Sequence, residues 1–127
     1  MTKKNLGKIL IIEDEEVLVN MYETKFKSEG YEVYKANNGE EGLKSALEVK
    51  PDIILLDIII PKIDGFMVLK KIKSDPSTKN VPVILLTNLG QEEDIKKGQE
   101  EGAADYLVKA NMTPSEVVDK VREVLKQ

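Results

Sequence analysis

Residues 52–60 read Asp-Ile-Ile-Leu-Leu-Asp-Ile-Ile-Ile, with one aspartate, Asp57, enclosed by apolar residues on both sides. A continuous apolar run of this length is what a parallel strand buried on both faces requires. Asp52–Asp57 is therefore read as a central strand. Working outward, Lys8–Ile12 (KILII) and Pro82–Thr87 (PVILLT) have the same character. Two mixed runs, Tyr31–Ala36 (YEVYKA) and Asp105–Lys109 (DYLVK), alternate apolar and polar residues and suit the rims of a sheet. Amphipathic stretches separate the five runs. Asp14 can cap a first helix that ends at Gly30, with a stripe of Leu18, Met21, Tyr22, Lys25 and Phe26. Asn38 can cap a second through about Val49, stopped by Pro51, and Asp64 a third through Ile72. A fourth spans about Gln91 to Glu101 before Gly102. Thr113-Pro114-Ser115-Glu116 is a capping box with proline at the first helical position, followed by Val117, Val121, Val124 and Leu125 on one face. Five βα units predict an α/β, doubly wound, flavodoxin-like fold: a five-stranded parallel sheet of order 2-1-3-4-5 with five flanking helices.

Length and composition limit the chemistry. A chain of 127 residues, 41% hydrophobic and 33% charged, is one globular domain, expected over residues 1–127. It has no cysteine, which excludes disulfides, thiolate metal sites and cysteine nucleophiles, and no histidine, which excludes imidazole catalysis. The net charge of −4 disfavours nucleic acid as a direct partner. Lys3 and Lys4 precede the apolar run Ile9–Ile12, but Glu13 and Asp14 end that run too soon for a signal peptide. No stretch approaches the roughly 20 apolar residues of a membrane span, so a cytoplasmic address without membrane contact is expected.

In an open parallel sheet the ligand crevice lies beyond the carboxyl ends of the strands. The polar residues expected there are Glu13 and Asp14 after the first strand, Asp57 at the third, Thr87 at the fourth and Lys109 at the fifth. Each has a plain structural reading: Asp14 as a cap, Thr87 as a β-branched strand residue, Lys109 as a snorkelling lysine. Asp57 resists one, because a carboxylate among apolar residues needs a partner or a metal. Three close carboxylates repel, and a divalent cation relieves the repulsion. Oxygen-only ligands select a hard ion, magnesium or manganese. Thr87 and Lys109 can each hold a phosphoryl oxygen. A nucleophilic carboxylate, a metal and two phosphate contacts together suit phosphoryl transfer onto an aspartate.

The segments ILIIEDEE, DIILLDIIIPKIDG, PVILLTN and GAADYLVKA, in this order and spacing, resemble the receiver domain of bacterial two-component response regulators along essentially the whole chain. The resemblance implies that Asp57 accepts a phosphoryl group from the phosphohistidine of a sensor histidine kinase or histidine phosphotransfer protein. It implies magnesium bound by Asp14, Asp57 and the backbone carbonyl of Ile59, with Glu13 acting through water. Thr87 and Lys109 would contact the phosphoryl group, and Tyr106 would reorient with Thr87 to switch the surface of helix 4, strand 5 and helix 5 for a downstream protein target. Such a domain is no conventional enzyme, but catalyses its own phosphorylation and dephosphorylation. Monomer and phosphorylation-dependent dimer both fit. The chain ends at Gln127 soon after the last helix, which suggests a stand-alone receiver over one excised from a longer regulator.

Two positions depart from the family pattern. Glu13 stands where an aspartate is usual, so an altered but retained magnesium affinity is expected. Ala110 follows Lys109 where the family usually has a cis proline; either a strained bond persists or the loop takes another course. Ile59 and Leu89, two residues beyond Asp57 and Thr87, are bulky and apolar, so water should be excluded and the phosphoryl group lost slowly. Rival readings fare less well. A flavin binder would need a hydroxyl- and glycine-rich loop where Glu13-Asp14-Glu15-Glu16 stands. An aspartyl phosphatase would need an acid at Ile59, and nucleotide-binding glycine motifs are absent. The alternative within the fold is a receiver-like interaction module that works without phosphorylation.

Overall fold

The computed structural model describes residues 5–127; Lys3 and Lys4 of the N-terminal motif lie outside the described residues. The elements run β1 (Lys8–Ile12), α1 (Glu16–Glu29), β2 (Glu32–Ala36), α2 (Gly39–Val49), β3 (Ile53–Leu56), α3 (Gly65–Ser74), β4 (Val83–Thr87), α4 (Glu92–Glu100), β5 (Asp105–Val108) and α5 (Pro114–Leu125). All strands are parallel, in the order β2-β1-β3-β4-β5, as the apolar pattern predicts. The register aligns Ile12 with Leu56 and Leu56 with Leu85, so the tips of β1, β3 and β4 end side by side.

The fully apolar runs are central and covered on both faces. Ile9, Ile11, Ile53, Leu55 and Ile84 pack under α1 and α5, while Leu10, Ile12, Ile54, Leu56 and Leu85 face α2 and α3. This alternation along each strand follows from the pleat. Among the described residues no helix is long and apolar enough to cross a membrane.

The helix signals act largely as the sequence suggests. Asn38 accepts the Glu41 N–H at 2.9 Å and Asp64 the Met67 N–H at 3.2 Å. The Thr113–Glu116 capping box closes in both directions. Gly30 ends α1 at φ 107°, a left-handed conformation that glycine adopts without strain. Three expectations change. Asp14 does not cap α1; Glu15 occupies that position without a side-chain cap. The buried face of α1 is Val19, Tyr22 and Phe26, and Met21 turns outward, because a helix brings residues three and four apart into line. Lys109 lies beyond β5, at the head of a 3-10 turn over Lys109–Asn111.

Candidate functional site

The sheet's carboxyl edge gathers three of the four buried polar residues among those described, the fourth being Thr78 in the loop before β4. Glu13 follows β1, Asp57 follows β3 and Thr87 ends β4; they are only 4%, 6% and 0% exposed. The register explains this convergence, since Asp57 continues β3 past Leu56 beside the end of β1, where its N–H still donates to the Ile12 carbonyl at 3.0 Å. Lys109 enters from beyond β5. Its ammonium bonds Asp57 Oδ2 at 2.8 Å and also Glu13 Oε1, so one cation serves two buried carboxylates. Glu15, more exposed, lies 3.9 Å from the same ammonium.

The remaining oxygens are held by backbone donors. Glu13 Oε2 accepts the Glu15 N–H at 3.1 Å, and Asp57 Oδ1 accepts the Ile59 N–H at 3.2 Å. The first contact reaches forward to the start of α1, where Glu15 stands in the cap position, and Asp14 stays exposed. Glu13, Asp14 and Asp57 offer carboxylate oxygens that all lie within 4.8 Å of one another. An oxygen-only set at this separation fits a hard divalent cation and offers nothing to a softer one.

Burial sets the charge balance here. It pushes Glu13 up to about 7, while the hydrogen bonds from Lys109 and the Glu15 N–H pull in the opposite direction. Burial alone would lower Lys109, but its bonds to Asp57 and Glu13 outweigh that and raise it. The ammonium is therefore firmly charged at neutral pH.

Thr87 Oγ1 accepts the Leu89 N–H at 3.4 Å. Tyr106 on β5 donates its hydroxyl to the Leu89 carbonyl. Burial, followed by the nearby Asp94 and Asp57 charges, pushes the Tyr106 phenol up to about 12, so it remains a donor throughout the physiological range. The structure thus brings together Glu13, Asp14, Asp57, Thr87 and Lys109, with Tyr106 one contact away through Leu89. Ile59 is 61% exposed beside Asp57, while Leu89 is half-buried.

Packing holds Asp57 in place. A Cβ on Gly65, the first residue of α3, would approach Asp57 O to 2.5 Å and Ile58 Cα to 2.4 Å, so only glycine permits this closeness. The described peptide bonds are all trans, including Lys109–Ala110. The turn after β5 is fixed otherwise: the Ala110 N–H donates to Asn88 Oδ1 at 3.1 Å. Asn88 is a site residue that the sequence reading missed. Its one signal was its place directly after Thr87.

Comparison with known proteins follows this geometry. The family described as the response regulator receiver domain matches residues 9–122. The transcriptional regulator RpaA of Synechocystis sp. is 37% identical over 122 residues, covering 96% of this chain and 50% of RpaA. The chain thus spans about half the length of that relative. Protein PilH of Pseudomonas aeruginosa is 36% identical over 104 residues, covering 82% of this chain and 86% of PilH. The BeF3-activated N-terminal receiver domain of Klebsiella pneumoniae RstA superposes with a TM-score of 0.87 at 26% identity, covering 94% of this chain and 99% of that one. With its fold, its cluster of acids and these relatives in agreement, the chain belongs to the response regulator receiver domains, the phosphoacceptor signalling units of two-component systems.

Proposed function

We propose that residues 1–127 form one receiver domain in which Asp57 is the phosphoacceptor. An Asp57 carboxylate oxygen attacks the phosphorus of a phosphohistidine on a sensor kinase or phosphotransfer protein. The new P–O bond forms as the P–N bond breaks, and the imidazole leaves and takes up a proton. The observation that carries this reading is Asp57 itself: a buried carboxylate beside two more acids, with a lysine ammonium at 2.8 Å. A buried ion pair often adds no stability over well-packed apolar residues, so stability is a weak reason for a charge there.

Magnesium, with manganese as the alternative, would be held by Asp14, Asp57 and the Ile59 carbonyl, with Glu13 acting through water. Bound there, the ion supplies neutralisation of the charge on the transferring group. Lys109 turns from the acids to a phosphoryl oxygen, and the Thr87 hydroxyl donates to another. When Thr87 moves, Leu89 and the Tyr106 hydroxyl bound to its carbonyl are drawn along. The Tyr106 ring packs where a Cβ on Gly98 of α4 would come within 3.0 Å, so a shift of the ring is felt by α4. The α4–β5–α5 surface would then present a different face to a downstream protein, a shift between two packed arrangements. A cytoplasmic setting, where a kinase and its target can both reach the domain, completes the reading.

The test is intact-mass measurement after incubation with acetyl phosphate and magnesium. One phosphoryl group should be gained by the native chain and none by Asp57→Asn or in the presence of EDTA. Equal labelling of Asp57→Asn would overturn the assignment. Failure of the native chain to label would favour an interaction module that works without phosphorylation.

A further inference from the structure

Away from the acids, α2 and α3 lie side by side and leave an open groove of about 600 Å³ between them. A cleft of this size is within the range that takes a ligand. Its floor is apolar, with the buried core residues Ala46 of α2 and Ile72 of α3. Leu43 and Leu47, one helical turn apart on α2, line one side, and Met67 of α3 lines the other. Five large hydrophobic side chains are exposed among the described residues, and two of them, Leu47 at 46% and Met67 at 42%, belong to this groove. Exposed apolar side chains gathered in one concave place mark an interaction surface, whereas single ones do not.

The charge of the groove is as informative as its shape. The charged residues that line it are Lys70, Lys71 and Asp75. Asp75 Oδ1 already accepts the Ser77 N–H at 2.8 Å and the Ser77 hydroxyl at 2.7 Å. Neither lysine forms an ion pair among the described residues, although six other lysines and arginines of the chain do. The chain as a whole carries a net charge of −4, so a lysine-edged apolar groove runs against its general balance. An occupant must therefore be apolar and anionic together.

We propose that the α2–α3 groove docks an acidic amphipathic helix of a partner protein, its apolar ridge lying between Leu47 and Met67 and its carboxylates meeting Lys70 and Lys71. A groove walled by two helices receives the side-chain ridge of a third by ordinary helix packing. An anionic bilayer is a poorer fit. It draws on roughly four to eight clustered basic residues, and the apolar floor here is recessed where a membrane-inserting face would protrude. None of the groove's lining residues belongs to the acid cluster or is Thr87, Tyr106 or Lys109, so the proposal adds a second surface and does not rest on the reading of Asp57.

The test follows the amide resonances of the native chain as a synthetic helical peptide is added. The peptide has about 16 residues, enough for a helix in water, with leucines one turn apart and glutamates beside them. Shifts should be confined to the Leu43–Leu47 and Met67–Pro76 segments. Lys70→Glu with Lys71→Glu should weaken binding at least about tenfold, because like charges then face each other. Leu47→Ser with Met67→Ser should weaken it comparably, and all four positions are exposed, so thermal melting should confirm an intact fold. The same peptide with lysine in place of every glutamate should not bind. Absence of shifts in the two segments would overturn the proposal, as would equal binding of the lysine peptide or of the Lys70→Glu, Lys71→Glu variant. Sedimentation of the native chain with phosphatidylglycerol vesicles, lost in that variant, would assign the groove to a lipid surface and overturn the protein partner.

Discussion

Asp52 and Asp57 lie at opposite ends of β3. At the strand's start, Asp52 is exposed, and its carboxylate accepts the Lys8 N–H at 2.7 Å while its own N–H donates to the Lys8 carbonyl at 2.9 Å. At its end, Asp57 is buried, bound to an ammonium and crowded by two further acids. The first aspartate closes the seam between β1 and β3 with neutral donors and asks nothing of the rest of the molecule. The second is stable only because Lys109, more than fifty residues away in sequence, is brought to it. One residue type therefore does two jobs, and the environment decides which. A satisfied carboxylate in water is mortar, whereas a buried one held by a distant lysine is the candidate for chemistry.

The sharpest way to break this contrast is Asp57→Asn, which should remove the phosphoryl mass gain entirely while Asp52→Asn leaves it intact. Next in size is Lys109→Met. It leaves Glu13 and Asp57 facing each other without their shared cation, and should lower stability by about 2 kcal/mol in EDTA, less than a fully buried broken pair because the cluster borders solvent. Added magnesium should restore much of that loss in thermal melts. A loss indifferent to magnesium would show that the acids do not share an ion.

A smaller effect concerns the lifetime of the product. Ile59→Asn with Leu89→Glu places polar groups beside the phosphoryl face and should speed phosphoryl loss by about tenfold, read as decay of the labelled mass with magnesium present. No change would mean that these two side chains do not control water access. The smallest effect is expected at the strand's start. Asp52→Ala should cost about 1 kcal/mol of stability by denaturant unfolding, through one lost hydrogen bond, with labelling unaltered.

Much of this was legible in the chain. KILII, DIILLD and PVILLT gave the central strands because burial on both faces permits no polar residue within them, and strand order followed from the mixed runs at the rims. Glu13, Asp57, Thr87 and Lys109 were legible because each interrupts or ends an apolar run. What escaped notice depends on side chains meeting across the fold. Asp14 was legible as a site acid, but its second reading as a cap fails because α1 begins at Glu16 with Glu15 in the cap position. The stripe of α1 is another case, since spacing alone leaves its angle around the helix open. Met21 was drawn into that stripe by sequence spacing, although Val19 carries the buried face.

The trans turn at Lys109–Asn111 has a mechanical consequence. A proline after Lys109 would have no N–H to give, whereas Ala110 spends its own on the Asn88 side chain, the neighbour of Thr87. The chain neighbours of Thr87 and Lys109, the two phosphoryl contacts of the proposed function, are thereby joined by one hydrogen bond. Displacement of the threonine is therefore expected to be felt at the lysine, and the reverse.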